Sequence, residues 1–304
     1  MKVAEVIHFL EDLAPLAYQE SYDNSGLIVG DFNQVVNGVL VTLDCTEEVI
    51  QEAIELHCNL IIAHHPIVFK GLKKFNGSNY VERTVIKAIK NDIAIYACHT
   101  NLDNVLLGVN KMIADKLGLK NLKILAPKDR ILSKLYTFCP LSSAEKVRKA
   151  LFDAGCGSIG NYDDCSFNSE GLGTFKANQE ANPYVGERDE LHCENEIKIE
   201  VVFESYLKVK VIEALKDAHP YEEVAFDILV LENENQYVGS GMVGELTKEI
   251  ESISFLKDLK NKLNSECIRH TKILKQKVSK IALCGGSGSF LDRKSTRLNS
   301  SHQI

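Results

Sequence analysis

The 304-residue chain has no stretch of the ~20 uninterrupted apolar residues that a membrane helix needs, which argues against a bilayer span. Its N-terminus, MKVAEVIHFLEDLAPL, places Glu5, Glu11 and Asp12 among the apolar positions and does not read as a secretory leader. Neither sign of charge forms a long run. The 35 basic and 42 acidic residues are interspersed at a net charge of -7, so the sequence offers no basic footprint for a nucleic-acid backbone. Nine cysteines are scattered, odd in number and never spaced CxxC, which argues against both a disulfide framework and a Cys-rich zinc site and favours reduced thiols. A repeat of solenoid period is also missing. What remains, 45% hydrophobic and 25% charged, is a cytoplasmic globular protein long enough for two domains.

The pattern begins helical, with Val3, Val6, Ile7, Leu10 and Leu13 on one face. It then turns to short β-branched runs at 38–44, 59–63 and 93–97, separated by a helix that Thr46 can cap and by a second over 81–90. Strand, helix, strand, helix, strand implies parallel crossovers and a parallel-rich sheet covered by helices on both faces. After Pro127 a second unit opens with a strand over 134–139 and a helix over 142–154, the latter started by Ser142, Ser143 and Glu145. The Gly, Asn, Asp and Ser-rich stretch 155–173 reads as loops or hairpin turns, and strand 196–203, helix 205–218 and strand 224–231 follow. That order suggests a ferredoxin-like α+β insert over 127–238. Through a Gly-Ser-Gly turn at 239–241 the chain returns to the first lobe, 1–126 and 239–291, with a helix over 250–263 and a strand over 278–284.

Adjacent side chains in a strand point to opposite faces, so His64 and His65 cannot serve one mononuclear site from within a strand. At the strand's carboxyl end, with Pro66 holding His65 extended, two neighbouring imidazoles can diverge onto two ions about 3.5–4 Å apart. Taken alone, such a pair is more often one core histidine and one surface histidine. The next strand changes that balance, because it runs into His99 and Asp103 at the edge where open parallel sheets bind ligands. Imidazole with carboxylate suits zinc, manganese or iron(II), and Cys98 should face away from His99. Asp103 by itself would read as a turn or cap residue. Gly285-Gly286-Ser287-Gly288 lacks the Lys-Ser/Thr of a phosphate loop and reads rather as a tight turn near this site. His219-Pro220-Tyr221 reads as a structural turn, with Tyr221 packed and His219 solvated.

Five stretches together resemble the NIF3-like family in its longer bacterial form with an inserted PII or CutA-like domain: 22–30 (YDNSGLIVG), 63–66 (AHHP), 99–103 (HTNLD), 284–289 (CGGSGS) and, in the insert, 219–223 (HPYEE). The resemblance covers residues 1–291 and implies that His64, His65 and Asp103 are metal ligands and that His99 lies beside two divalent ions. It also implies a ring-shaped homohexamer, and members commonly carry the label of GTP cyclohydrolase relatives. Family members bear a further histidine and a bridging glutamate after the glycine loop. Here 292–302, DRKSTRLNSSH, reads as a translated sequencing adapter, so 292–304 is set aside as non-native, His302 is not a candidate ligand, and the metal site is expected to be incomplete. Two functions follow. One is a metal-dependent hydrolase acting on a nucleotide or other phosphorylated small molecule, with His99 as the catalytic proton carrier. The other is a non-catalytic metal-binding or regulatory scaffold.

Overall fold

The computed structural model describes residues 1–286 and 288–291. The elements run α1 (Val3–Leu13), β1 (Gly26–Val29), β2 (Val39–Thr42), α2 (Glu47–Glu55), β3 (Leu60–Ala63), α3 (Tyr80–Lys90), β4 (Ala94–Ala97), α4 (Thr100–Asp103), α5 (Val109–Leu117) and β5 (Lys120–Lys128). They continue as β6 (Leu132–Pro140), α6 (Ala144–Asp153), β7 (Phe167–Lys176), β8 (Leu191–Glu204), α7 (Lys208–Ala218), β9 (Phe226–Leu231), β10 (Asn235–Glu251), α8 (Ser252–Lys262) and β11 (Lys277–Leu283). The described residues thus form a mixed α/β protein with three sheets and divide into two compact units, 1–127 with 236–291, and 128–235.

In the first unit the sheet order is β1-β4-β3-β2. β2, β3 and β4 are parallel, and β1 closes the edge antiparallel to β4. Every residue of β4 is buried, as a strand covered on both faces requires. Ile50 and Ala53 of α2 and Ala88 of α3 pack on Ile61, Ala63 and Ile95, and Ile95 is fully withdrawn from water. Burying such a side chain contributes about 1.5–3 kcal/mol. The covering helices start on side-chain caps: Thr46 Oγ1 accepts from Val49 N, and Asn79 Oδ1 accepts from Glu82 N. The carboxylate of Glu82 reaches back to Ser78 N at 3.0 Å, which explains how an acid stays buried there.

A second sheet in the same unit, β11-β10-β5, departs from the sequence reading in two ways. No strand was expected over 120–128, and Gly239-Ser240-Gly241, read as a turn, lies inside β10. Gly241 has a φ of +67° and would place a Cβ 2.9 Å from Leu283 O, so here glycine permits strands to approach rather than the chain to reverse.

The second unit runs β6-α6-β7-β8-α7-β9, with sheet order β7-β8-β6-β9 and every pairing antiparallel. One face packs Leu135, Ile199 and Val201 against Val147, Leu151, Val211 and Leu215 from the two helices. The loop reading of 155–173 holds only up to about the start of β7, because a backbone ladder needs no particular side chain and Asn168–Gly173 joins it despite its turn-like composition. His219 also differs from expectation. It is buried rather than solvated, its Nε2 donating to Phe138 O at 2.9 Å while its Nδ1 accepts from Tyr221 N at 3.1 Å.

Gly108 controls how α4 joins α5, since a Cβ there would lie 1.8 Å from Leu102 O. Gly108→Ala should therefore lower the free energy of unfolding by about 1–3 kcal/mol in a urea titration. A variant as stable as the parent would show that this approach is not tight.

Candidate metal centre

β3 and β4 end in register, Ala63 opposite Ala97, so the residues that follow leave the sheet side by side. The ladder continues beyond the strands: Cys98 N donates to Ala63 O at 2.9 Å, His64 N to Thr42 O at 3.1 Å and His65 N to Leu43 O at 2.9 Å. These bonds fix where three imidazoles begin. Ring centroids lie 5.1 Å apart for His64 and His65, 5.2 Å for His64 and His99, and 5.5 Å for His65 and His99. One ring nitrogen from each lies within 4.8 Å of the other two.

Each ring has an acceptor on its Nδ1. His64 Nδ1 donates to Cys98 O at 2.9 Å, and because a carbonyl only accepts, that nitrogen carries the proton. His65 Nδ1 donates to Asp44 Oδ1 and His99 Nδ1 to Asp23 Oδ1, both at 2.8 Å. In the neutral rings the Nε2 lone pairs are left for a cation or a proton, the arrangement in which an outer acceptor sets the tautomer of a metal-binding histidine.

Asp103 joins the group from α4, one turn beyond His99, whose carbonyl accepts from Asp103 N at 3.1 Å. Its Oδ1 lies 3.9 Å from His64 Nε2, beyond hydrogen-bond range, and is buried with no partner. Burial raises its carboxyl above the ordinary value, opposed by His64 and His99. An unsatisfied buried acceptor costs about 1–3 kcal/mol. A divalent cation meeting Asp103 and the imidazoles would remove that cost, so the donor set fits a metal. Cys98 is not part of it: its buried thiol accepts from Asn101 Nδ2, and burial pushes its pKa up to about 11.

Asp23 and Asp44 were given no role by sequence reasoning. The signal for Asp44 was its place at the tip of β2, one strand from the histidines. Asp23 had none beyond lying in the YDNSG stretch, because 76 residues separate it from His99. Its side chain is shut off from solvent and accepts from His99, Thr100 N at 3.0 Å, Thr100 Oγ1, Asn24 N at 2.7 Å and Ser25 Oγ at 3.0 Å. Burial works to raise its pKa, but the hydrogen bonds outweigh burial and bring it to about 2.

The glycine loop sits on the other side of Asp103. Gly285 N donates to Asn110 Oδ1 at 2.8 Å, and Asn110 Nδ2 donates to Asp103 O at 2.9 Å. Gly286 turns the chain at a φ of +70°, which favours glycine. Ser287 and the tail 292–304 lie outside the described residues. A cavity of about 220 Å³ opens here, lined by Tyr22, His99, Asp103 and Gly285 among others. A second, of about 580 Å³, opens beside His65 and Asp44.

The profile of the Duf34/NIF3 (NGG1p interacting factor 3) family matches residues 1–299. The chain belongs to this family. Among NIF3 relatives, a "GTP cyclohydrolase 1 type 2 homolog" of Halalkalibacterium halodurans is 41% identical over 95% of this chain and 79% of its own length. One from Staphylococcus epidermidis is 37% identical over 98% of this chain and 81% of its own. A crystal structure of a Bacillus cereus protein related to NIF3 superposes with a TM-score of 0.83 at 40% identity, covering 98% of this chain and 80% of that one. A Staphylococcus aureus structure gives 0.75 at 34% identity, covering 98% and 79%. No helix among the described residues of this NIF3 chain is long and apolar enough to cross a membrane.

The lowered pKa of Asp23 has a consequence for stability. A carboxyl held at about 2 when folded, against an ordinary 3.8, stabilises the fold above its unfolded value and loses that contribution as pH falls through the interval. The stability difference between the parent and Asp23→Asn should be full near about pH 6 and shrink as pH falls from about 4 to about 2. A difference constant across that range in denaturant titrations would contradict the pairing.

Proposed function

We propose that this NIF3 protein is a metal-dependent hydrolase whose His64, His65 and Asp103 hold divalent ions and whose His99 carries the proton. The observation that supports it most is the set of Nδ1 clamps, which leave Nε2 of His64 and His65, with the unpaired Oδ1 of Asp103, for cations and Nε2 of His99 for a proton. Zinc, manganese or iron(II) suits the donors, and two ions suit adjacent histidines. A bound pair would supply Lewis acidity, making water a nucleophile near neutral pH and neutralising charge that develops on the substrate.

The chain's own groups do the rest. His99 Nε2 takes a proton from the attacking water and returns it to the leaving group. Asp23, donated to by Nδ1, orients the ring and stabilises the imidazolium, as the carboxylate of a His–Asp pair does in other hydrolases. The substrate we favour is a nucleotide or another phosphorylated small molecule, in keeping with the names of the relatives. The remaining parts of the proposal are a cytoplasmic homohexamer, a NIF3-like lobe over 1–126 and 239–291, and a ferredoxin-like, PII or CutA-like insert over 127–238. The sheet order β7-β8-β6-β9 with two helices on one face supports the last of these.

Elemental mass spectrometry on protein dialysed against zinc or manganese should find bound metal at less than two ions per chain, as an incomplete ligand set implies. His64→Ala and Asp103→Ala should lose it. Asp44→Asn should keep it but bind about 10–100-fold more weakly. Metal bound equally by His64→Ala would overturn the ligand assignment.

His99→Ala should retain metal while hydrolysis of a nucleotide panel falls by about 100-fold or more. Retained metal with no turnover by the parent on any substrate would instead support the non-catalytic scaffold.

A further inference from the structure

We propose that the unit formed by residues 128–235 carries a second ligand site, separate from the histidine cluster, that takes an organic cation with an aromatic or apolar body. The unit carries a half-open cavity of about 640 Å³, within the range of small-molecule sites. Its origin lies in the alternation of β8. Ile197, Ile199 and Val201 point into the core shared with α6 and α7, so Glu194, Glu196 and Lys198 point to the opposite face.

On that face β7 presents glycine where its neighbour presents carboxylates, Gly171 opposite Glu196 and Gly173 opposite Glu194. A Cβ on Gly171 would meet nothing within 4 Å, so that position is open space. At Gly173 a Cβ would lie 2.1 Å from Glu196 Oε2, and glycine there lets the Glu196 carboxylate lie across the strand. The two glycines cut a notch in the sheet.

The walls are aromatic and braced. Tyr221 lies between Phe175 and Tyr184, with ring centroids 6.3 Å and 6.1 Å away. Its hydroxyl donates to Glu196 Oε1 at 2.9 Å, and its backbone is tied to buried His219. The segment after β7, which brings Pro183 and Tyr184 to the cavity, is fastened by Asn182 N donating to Glu222 Oε1 at 2.8 Å. These walls distinguish the site from a bare sheet face.

Charge selects the ligand. Glu196, Glu222 and Glu223 line the cavity against one cation, Lys198, which is already paired with Glu200 at 2.5 Å and lies 4.6 Å above the Tyr136 ring. Phosphates and carboxylates are repelled by such a lining. A protonated or quaternary amine meets both carboxylate and ring faces, while its apolar body fills the notch. A bare metal ion would leave the aromatic walls unused.

The test is calorimetric titration of the whole chain with benzyltrimethylammonium, using phenylacetate as the anion of similar size. The expected result is saturable binding of the ammonium with a Kd of about 1 mM or tighter and none of phenylacetate. Binding should weaken about tenfold or more in Glu196→Gln and in Gly171→Leu, whose side chain enters open space and fills the notch. Absence of saturation by about 10 mM, equal binding of phenylacetate, or ammonium binding unchanged in either variant would overturn the proposal. So would a Gly171→Leu chain that loses self-association by light scattering while the parent ignores the probe, because a second copy would then occupy the cavity.

Discussion

The parallel register between β3 and β4 carries the candidate centre. With Ala63 held opposite Ala97, the backbone places His64 beside Cys98 and sends His65 and His99 off neighbouring strand tips. A slip of one residue would turn every side chain of a strand to the other face. Such a slip is opposed by burial on both faces, since Leu60, Ile61, Ala94 and Ile95 are all fully withdrawn from water. The rigidity that a metal or catalytic site needs is thus supplied by core packing rather than by the site.

A second tier of bonds converts that placement into chemistry. Position alone leaves each imidazole free to choose its tautomer and rotate. Cys98 O, Asp44 and Asp23 each remove that freedom through an Nδ1 hydrogen bond. The three acceptors differ in strength. A neutral carbonyl orients His64, whereas a buried carboxylate under four further hydrogen bonds holds His99 through a charge-assisted bond. The proposed division of roles, His64 holding a cation and His99 moving a proton, rests on this difference between two rings 5.2 Å apart.

How much of this was legible from sequence depended on whether a feature is local. His64-His65-Pro66 and the His99 to Asp103 stretch each follow a β-branched run, so their place at the strand tips could be read from adjacent residues. The contacts of Asp23 and Asp44 could not, because they form only when loops 76 and 21 residues away in sequence fold over the rings. The parallel core strands were legible from their continuous apolar runs. β5 and β7 were not: β5 mixes Lys120, Asn121, Lys123 and Pro127 with its apolar residues and has no two-residue alternation, and β7 contains two glycines. The burial of His219 escaped because its two hydrogen bonds are to backbone groups, and composition is blind to those.

The places where local rules fail are also the places where the structure leaves room for a ligand. Glycine weakens a strand, yet Gly171 and Gly173 sit within β7, and removing their side chains is what hollows the face opposite Glu196. A buried carboxylate oxygen without a partner weakens a fold, yet Asp103 Oδ1 is kept beside His64 with none. In both cases the cost is borne by a well-packed surrounding: Ile199 and Val201 behind the notch, Ile61 and Ile95 beneath the histidines. A sequence selected for stability alone would place a β-branched residue at 171 and a hydrogen-bond donor against Asp103. That it does neither is the common ground on which the two proposed binding sites rest.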